Sequence, residues 1–351
     1  MSPIIPIVLV TSSPLALARL ARGLGDLPQI RLCGNASDLS GAYVLVERVE
    51  PRLVILGPEL LHHPDFPGLL AMFRVMGITW MRLPSDIAAP PAMAGVPVLD
   101  PGQPAAALSQ SITAALAHPT AQGILPSASA ISSAEKALPT PGLPTIAPGS
   151  KSRTRPDRVI LIGSSTGGID ALLRVLSVFP PDCPPTAIVQ HTGAAFSDSL
   201  IRLLDRCCAA RVLPAQSGGL LRPGTVIVGA GCGGHMRLQS GNPPQVQVVP
   251  GAPVAGHVPS VDEMFRSALP FASRVTAALL TGMGRDGAQG MLDLRRAGAD
   301  TLAQDEATSV VYGMPRAAWE IGAARIRLPI DRIGPELLAR CAERPPETTE
   351  L

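Results

Sequence analysis

Aromatic and charged side chains are scarce in this chain of 351 residues. Phe, Trp and Tyr together make up 3% of it, so few side chains are available for nucleic-acid bases to stack on. Charged residues account for 16%, and a formal net charge of +2 is too small to attract nucleic acid or a lipid surface. The hydrophobic fraction of 46% instead predicts a folded protein with a large buried core, and the length suffices for two domains.

Two further absences concern the compartment and the state of the cysteines. No stretch long enough to span a membrane is free of prolines and polar residues, and the first residues lack the basic segment of a signal peptide. The cysteines form no C-x-x-C pair, which indicates reduced thiols rather than a disulfide framework. We therefore expect a cytoplasmic protein with no membrane insertion. The six cysteines are Cys33, Cys183, Cys207, Cys208, Cys232 and Cys341.

Residues 1–118 alternate short apolar runs with amphipathic segments, a pattern that predicts a small α/β domain with a parallel sheet. Its predicted strands are residues 4–10, 30–33, 53–56, 78–81 and 96–99. Its predicted helices are residues 14–25, 39–48, 66–75 and 103–117. The next stretch, residues 119–157, contains seven prolines and no clear periodicity, which predicts a linker rich in Pro, Ser and Ala.

Residues 158–345 form the second predicted domain, in which apolar runs again alternate with helical stretches. This indicates a doubly wound, mainly parallel sheet with a hairpin insertion around residues 214–257. The strand candidates are residues 158–163, 186–190, 225–229, 245–249, 276–281 and 301–304. The helix candidates are residues 196–208, 261–273 and 286–297.

The first predicted strand of this domain ends in the sequence GSSTGG, and an amphipathic segment follows. Such a strand, tight turn and helix expose one side chain and several backbone N–H groups above the edge of a sheet. Residues 163–167 also fit the G-x-S-x-G pattern, with Ser165 in the nucleophile position. On its own the turn is equally compatible with a bound phosphate or dinucleotide.

The ends of two other predicted strands favour a nucleophile. A dinucleotide site would need an acidic residue after the second strand, but His191 stands there and could take a proton from Ser165. A third strand ends in a glycine-rich loop that carries Asp286. We expect Asp286 to accept a hydrogen bond from Nδ1 of His191, so that Nε2 faces the serine. Backbone N–H groups near the turn and the loop, at Thr166 and Met283, are the expected oxyanion donors.

Each of these residues has an ordinary structural explanation when it is considered alone. A serine in such a turn is commonly a helix cap, a histidine at a strand end is commonly solvated, and an aspartate beside glycine is a turn former. Their coincidence at the carboxyl edge of one sheet favours catalysis, although the order Ser, His, Asp differs from that of α/β-hydrolases.

No metal site is predicted, because no ligand spacing links the remaining histidines. These are His62, His63, His118, His235 and His257.

The second domain resembles the catalytic domain of the chemotaxis protein-glutamate methylesterases of the CheB type. The matching segments are residues 162–168, 190–191, 259–262, 280–288 and 303–316. The resemblance implies hydrolysis of glutamate γ-methyl esters, and deamidation of glutamines, on the cytoplasmic domains of methyl-accepting chemoreceptors. Other chemotaxis signalling proteins are further partners that it suggests, and it implies no cofactor. The family's nucleophile, base and orienting carboxylate correspond to Ser165, His191 and Asp286. The sequence departs from the family at Val258, where an arginine is usual, and in the loop of residues 229–235.

The first domain resembles a response-regulator receiver of the flavodoxin-like type, in outline only. A receiver carries paired acids after its first strand, where this chain has residues 11–13, TSS. The phosphoaccepting aspartate should follow the third strand, but Gly57 occupies that position. We therefore expect no phosphoacceptor and no Mg²⁺ site, with Glu59 and Asp65 as surface charges. A catalytically idle module that docks on receptors is the alternative function, and a dinucleotide-dependent oxidoreductase is a weaker one.

Overall fold

A computed structural model of the chain describes residues 4–25, 27–63, 66–85, 95–117 and 158–342. The predicted linker at residues 119–157, together with Asp65 and His118, lies outside these residues. Among the described helices, none combines the length and the apolar composition that are needed to cross a bilayer.

The N-terminal domain is built on parallel strands in the order β2-β1-β3-β4. Its strands are β1 Ile5–Val10, β2 Ile30–Ala36, β3 Leu53–Leu56 and β4 Thr79–Arg82. Its helices are α1 Pro14–Gly25, α2 Leu39–Val49, α3 Phe66–Met76 and α4 Ala105–Ala117, and a 3-10 turn spans Pro58–Leu60. An isolated parallel bridge from Arg82 to Val98 marks a fifth position beside β4. With the bridge at Val98 counted as the fifth position of this sheet, the order is 2-1-3-4-5, which is the flavodoxin-like order, as predicted.

The predicted strand at residues 96–99 was wrong in extent, because only the bridge at Val98 forms there. Pro97 has no backbone N–H to donate, so this segment cannot extend a ladder of hydrogen bonds. Arg82 donates to the carbonyl of Pro97 and accepts from Leu99, which keeps the segment at the edge of the sheet.

The C-terminal domain contains a seven-stranded sheet in the order β13-β12-β11-β5-β6-β8-β7, and every neighbouring pair is parallel. Its strands are β5 Val159–Ser164, β6 Thr186–Gln190, β7 Arg211–Pro214, β8 Thr225–Gly229, β11 Val275–Leu279, β12 Asp300–Gln304 and β13 Ile326–Leu328. Strands β9 His235–Gln239 and β10 Gln245–Val249 form a separate antiparallel pair within the predicted insertion. The helices are α5 Gly168–Leu176, α6 Ala194–Cys207, α7 Val261–Ser267, α8 Ala288–Arg296, α9 Met314–Glu320 and α10 Ile330–Cys341. The predicted doubly wound fold is confirmed.

The predicted helix at residues 261–273 is in fact two elements. Helix α7 ends before Ala268, and a 3-10 helix, Leu269–Arg274, follows it. Pro270 lacks the N–H that would continue the α-helical hydrogen bonds across this point, so the chain turns instead.

The centre of the large sheet determines where a site can form. Strands β5 and β11 are buried along their whole length, with hydrophobic clusters on both faces of the sheet. From β5 the chain proceeds to β6 on one side, and it later returns to β11 on the other side. The carboxyl ends of β5 and β11 therefore flank the point where the winding direction reverses. In open α/β sheets this is the usual position of a ligand.

The two domains share one apolar interface. Helix α3 packs against α5 and α6, and its Phe66 and Leu69 belong to the same buried cluster as Ile169 and Leu172 of α5. Gly68 of α3 lies so close to Asp170 of α5 that a Cβ atom at position 68 would collide with its side chain. The N-terminal domain thus lies over the helix that begins at the GSSTGG turn.

Candidate active site

The turn after β5 presents Ser165 at the carboxyl edge of the sheet. Gly167 has φ 76° and caps helix α5, a left-handed conformation that glycine adopts without strain. Gly168 N–H donates to the carbonyl of Ser165 over 2.7 Å, which closes the turn tightly. Ser165 is nearly covered, with a relative exposure of 6%. The predicted strand, turn and helix are therefore present, and the serine lies at the turn.

The side chain of Gln190, the last residue of β6, joins the turn to the next strand end. Its Oε1 accepts from Ser164 Oγ at 2.6 Å, and its Nε2 donates to the carbonyls of Ser165 and His191, each at 2.9 Å. His191 N–H also donates to the carbonyl of Ser164. These bonds hold Ser165 and His191 on neighbouring strand ends, a positioning role that the sequence analysis did not assign to Gln190.

His191 and Asp286 are in direct contact. The distance from His191 Nε2 to Asp286 Oδ2 is 2.9 Å, and both side chains are buried. We predicted that Asp286 would contact Nδ1, and this detail was wrong: the carboxylate contacts Nε2. The Nδ1 atom is buried and has no hydrogen-bond partner among the described residues. The ring nitrogen available for a serine proton is therefore Nδ1.

Asp286 is held by the start of helix α7 as well as by the histidine. Its Oδ1 accepts from Ser260 Oγ at 2.8 Å and from the N–H of Asp262 at 3.0 Å, and its Oδ2 accepts from the N–H of Val261 at 2.8 Å. Burial raises the pKa of Asp286, but the hydrogen bonds from His191 and from the two backbone groups outweigh it and leave the pKa below its ordinary value. The carboxylate is thus ionised and fixed in position.

His257 stacks on the ring of His191, a contact that the sequence did not indicate. The ring centroids are 3.7 Å apart and the planes differ by 7°. A tight turn carries His257, since it and Val254 exchange two backbone hydrogen bonds. The residues between them, Ala255 and Gly256, have positive φ. Burial lowers the pKa of His257, and His191 lowers it further, so His257 is neutral near pH 7.

The loop after β11 closes the site from the other side of Ser165. Ser165 N–H donates to the carbonyl of Thr281 over 3.0 Å, and a Cβ atom at Gly282 would collide with the Ser165 side chain. The backbone N–H groups of Thr166 and Met283, the predicted oxyanion donors, donate to no acceptor among the described residues.

Glu47 of the N-terminal domain lies in the same region, and it is not among the predicted site residues. Thr166 Oγ1 donates to Glu47 Oε2 over 2.8 Å. No local signal in the sequence could have revealed this contact, because it joins residues 119 positions apart in different domains.

The end of β3 in the N-terminal domain carries a glycine where the resemblance to receivers would place an aspartate. Gly57 follows β3, as predicted, and a Cβ atom there would collide with the carboxylate of Glu59. Glu59 is exposed, but it is more than the surface charge that we predicted, because it accepts from Thr11 Oγ1 at 2.8 Å and from Ser12 N–H at 2.5 Å. Its carboxylate fills the space of the missing side chain. In the part of the chain that the structure describes, no cluster of His, Cys, Asp or Glu is suited to a metal ion.

Curated proteins of known family match nearly the whole chain. A protein-glutamate methylesterase/protein-glutamine glutaminase of Gluconobacter oxydans is 37% identical over 348 residues, which cover 97% of each protein. One of Caulobacter vibrioides is 35% identical over 347 residues, or 97% of this chain and 99% of that one.

A solved structure and a family model match the C-terminal domain. The crystal structure of the CheB methylesterase catalytic domain of Thermotoga maritima is 32% identical, with a TM-score of 0.50, and covers 52% of this chain and 98% of that one. The CheB methylesterase family model matches residues 160–337. These findings confirm the resemblance and the predicted hydrolase class, and the chain belongs to the CheB methylesterase family.

Proposed function

We propose that this protein hydrolyses glutamate γ-methyl esters on methyl-accepting chemoreceptors through Ser165, His191 and Asp286, and that it deamidates receptor glutamines at the same site. The observation that carries the proposal is the contact between His191 and an ionised, buried Asp286 beside the Ser165 turn. A histidine held in this way has a defined tautomer, because Nε2 donates to the carboxylate and leaves Nδ1 as the proton acceptor.

The reaction is an acyl transfer in two steps. Ser165 Oγ attacks the ester carbonyl carbon while His191 Nδ1 takes the hydroxyl proton, and Asp286 stabilises the imidazolium that results. The bond between the acyl carbon and the methoxy oxygen breaks, and methanol leaves with the proton from His191. Water then attacks the glutamyl ester of Ser165, gives its proton to Nδ1, and releases a glutamate side chain. Ammonia takes the place of methanol when glutamine is the substrate.

The free N–H groups of Thr166 and Met283 are assigned to the oxyanion of both tetrahedral intermediates. Such donors are worth about 3–4 kcal/mol each in related chemistry, because they are fixed before the charge develops. The conformation of the loop after β11 supports this assignment, since Gly284 has a positive φ of 83° and lies directly after Met283. Each step is completed by groups of the protein, the substrate and water.

We assign the action to the cytoplasm, where the signalling domains of such receptors lie. The division into a receiver-like domain at residues 1–118, a linker at 119–157 and a catalytic domain at 158–345 is part of the same proposal. The separate sheets of the two domains support this division.

The test is methanol release from methylated receptor domains. We expect Ser165→Ala to release none, whereas Ser177→Ala keeps wild-type activity. Ser177 is an exposed serine of the same domain, and among the described residues its hydroxyl bonds only to the carbonyl of Arg174. Undiminished methanol release by Ser165→Ala would refute the assignment of Ser165 as the nucleophile. Wild-type protein that binds the methylated receptor and releases no methanol would instead be the idle docking module.

A further inference from the structure

His235, the first residue of β9, is a buried histidine that the proposed reaction does not use. Its relative exposure is 3%, and both of its ring nitrogens have hydrogen-bond partners. Nδ1 accepts from the backbone N–H of Ser260 over 3.1 Å, and Nε2 lies 2.9 Å from the carbonyl oxygen of Ala252. Since a backbone N–H can only donate, Nδ1 carries no proton, and Nε2 donates its own proton to Ala252. Two backbone groups thus fix the tautomer and the orientation of this ring.

The two backbone groups are the ends of one loop. Residues 253–259 lie between them, on the way from β10 to α7. His257, within this loop, stacks on the ring of His191 with the centroids 3.7 Å apart. A Cβ atom at Gly251 would collide with the ring of His235, so the chain also packs directly against that ring at the start of the loop. One imidazole therefore spans the base of the loop that lies against His191.

The Ser260 end of the loop also holds Asp286. Ser260 Oγ donates to the carboxylate over 2.8 Å, and the backbone N–H groups of Val261 and Asp262 donate to it over 2.8 and 3.0 Å. Three consecutive residues therefore fix the carboxylate, and the backbone N–H of the first of them is bound to His235.

We propose that His235 is a positioning residue: by binding the backbone N–H of Ser260 it fixes the start of α7, and thereby the place where Asp286 meets His191. The inference rests on the proposed function and deepens it, because it extends the proton-transfer arrangement to a residue outside the site. A small displacement of a positioned group can lower a rate by up to about 10²-fold, so a buried hydrogen bond of this kind affects turnover as well as stability.

Two amide variants separate the contributions of the two ring nitrogens. The Oδ1 atom of asparagine lies at about the position of histidine Nδ1, so His235→Asn can still accept from Ser260. The amide of glutamine reaches about as far as Nε2, so His235→Gln can still donate to Ala252 but offers Ser260 no acceptor. We expect kcat for methanol release from methylated receptor domains to fall about 10- to 100-fold in His235→Gln, and about threefold or less in His235→Asn. KM should stay unchanged in both, because the buried ring does not meet the receptor segment.

Thr301→Val is the matched control. Thr301 is also buried, and its Oγ1 likewise donates to one carbonyl, that of Ala323 over 2.7 Å, and accepts from one backbone N–H, that of Arg325 over 3.2 Å. The variant should lose stability as His235→Gln does, since both leave buried backbone groups without a partner, but it should keep the wild-type kcat. A purely structural role of His235 would give His235→Gln the same kcat as Thr301→Val.

Amide hydrogen exchange provides a readout that does not depend on catalysis. The exchange rates of Val261 and Asp262 report whether their N–H groups still donate to Asp286. Relative to the amides of β5, we expect these rates to rise about tenfold in His235→Gln, as the loss of one hydrogen bond implies, and to change little in His235→Asn and Thr301→Val.

A double variant tests whether the effect passes through Asp286. With Asp286→Asn already present there is no carboxylate to position, so adding His235→Gln should lower kcat by a further factor of about three or less. If the loss of 10- to 100-fold persists in that background, His235 acts by another route and the inference is overturned.

The outcomes separate the two proposals. If wild type releases methanol and His235→Gln has the kcat of Thr301→Val, His235 is not a positioning residue and the proposed function stands. Equal losses of kcat in His235→Gln and His235→Asn would also overturn the inference, because the bond to Ser260 would then not matter. Should His235→Gln fail to fold, a loss of more than about threefold in His235→Asn does the same. If no protein releases methanol but exchange at Val261 and Asp262 rises in His235→Gln, the positioning of Asp286 stands and the proposed reaction is wrong.

Discussion

Replacement of Asp286 by asparagine probes the acid–base arrangement and the fold in one variant. Each carboxylate oxygen accepts two hydrogen bonds, Oδ1 from Ser260 Oγ and Asp262 N–H, and Oδ2 from His191 Nε2 and Val261 N–H. Asparagine supplies one oxygen and one NH₂ group in the same space. In either orientation of the amide, one backbone N–H faces a donor instead of an acceptor.

The cost to stability follows from that single unpaired group. A buried donor without an acceptor costs about 1–3 kcal/mol, and position 286 is almost fully buried, so the free energy of unfolding should fall by that amount. Asp331→Asn is the control. Asp331 forms an ion pair with Arg174, but its side chain is 68% exposed, and its loss should cost less than about 1 kcal/mol.

The cost to activity is larger. With its NH₂ group toward His191, asparagine stabilises the tautomer whose Nδ1 carries the proton, and that nitrogen can then accept nothing from Ser165. With its oxygen toward His191 it keeps the tautomer, but the negative charge opposite the imidazolium is lost. In serine proteases the corresponding change lowers kcat about 10⁴-fold, and we expect a loss of about 10³ to 10⁴ here.

Urea denaturation measures the change in the free energy of unfolding, and methanol release from the same preparations measures the change in kcat. If Asp286→Asn remains folded with a kcat within tenfold of wild type, the assignment of Asp286 and His191 to proton transfer is refuted. A large loss of kcat together with complete unfolding would be resolved by Asp286→Glu, whose carboxylate should restore part of the activity if it reaches His191.

Three further predictions concern His257, Gly57 and Glu47. An aromatic stack is worth about 0.5–1.5 kcal/mol, so His257→Ala should lower kcat about 2- to 10-fold and His257→Phe much less; equal kcat values for the two variants would exclude the stack as a positioning device for His191. Incubation with a small phosphodonor should label no residue of the N-terminal domain, because Gly57 has no side chain to accept a phosphoryl group at the end of β3, and mass spectrometry checks this. Burial raises the pKa of Glu47 from 4.5 to about 7 in the folded protein. The side chain therefore stabilises the folded protein fully below about pH 4.5, and this contribution is lost as the pH rises through 7. The difference in unfolding free energy between wild type and Glu47→Gln should therefore fall from pH 5 to pH 8, and a constant difference would contradict the raised pKa.

Hydrophobic patterning was sufficient to predict the central elements of both sheets. Strands β5 and β11 are buried on both faces, so they are continuous apolar runs, which are easily recognised in a sequence. Strands β7 and β13 were not predicted. They lie at the two edges of the large sheet, contain four and three residues, and are only partly buried. Segments this short, with few apolar positions, differ little from loops until a neighbouring strand is in place.

The contact between His191 and Asp286 was predictable as a pair of residues, but not at the level of atoms. A parallel sheet brings its carboxyl ends to one edge, so Ser165, His191 and Asp286 could be assigned to one place from their positions after apolar runs. The ring nitrogen that meets Asp286 depends on how the imidazole is oriented, and that depends on contacts made after folding. His257 against the ring face and helix α7 against the carboxylate both come from segments that lie far from His191 in the sequence.

Two glutamates of the N-terminal domain, Glu47 and Glu59, bear on how the site opens. Glu59 fills the space beside Gly57, so phosphorylation at that position has no acceptor through which to move the domain. The contact of Glu47 with Thr166 nevertheless remains, and with it the apolar interface of α3. An equilibrium between docked and released domains can be shifted only by a ligand that binds one state better than the other. A receptor segment that binds the catalytic domain only after the N-terminal domain is released is such a ligand, so activity should rise with local receptor concentration without any phosphodonor.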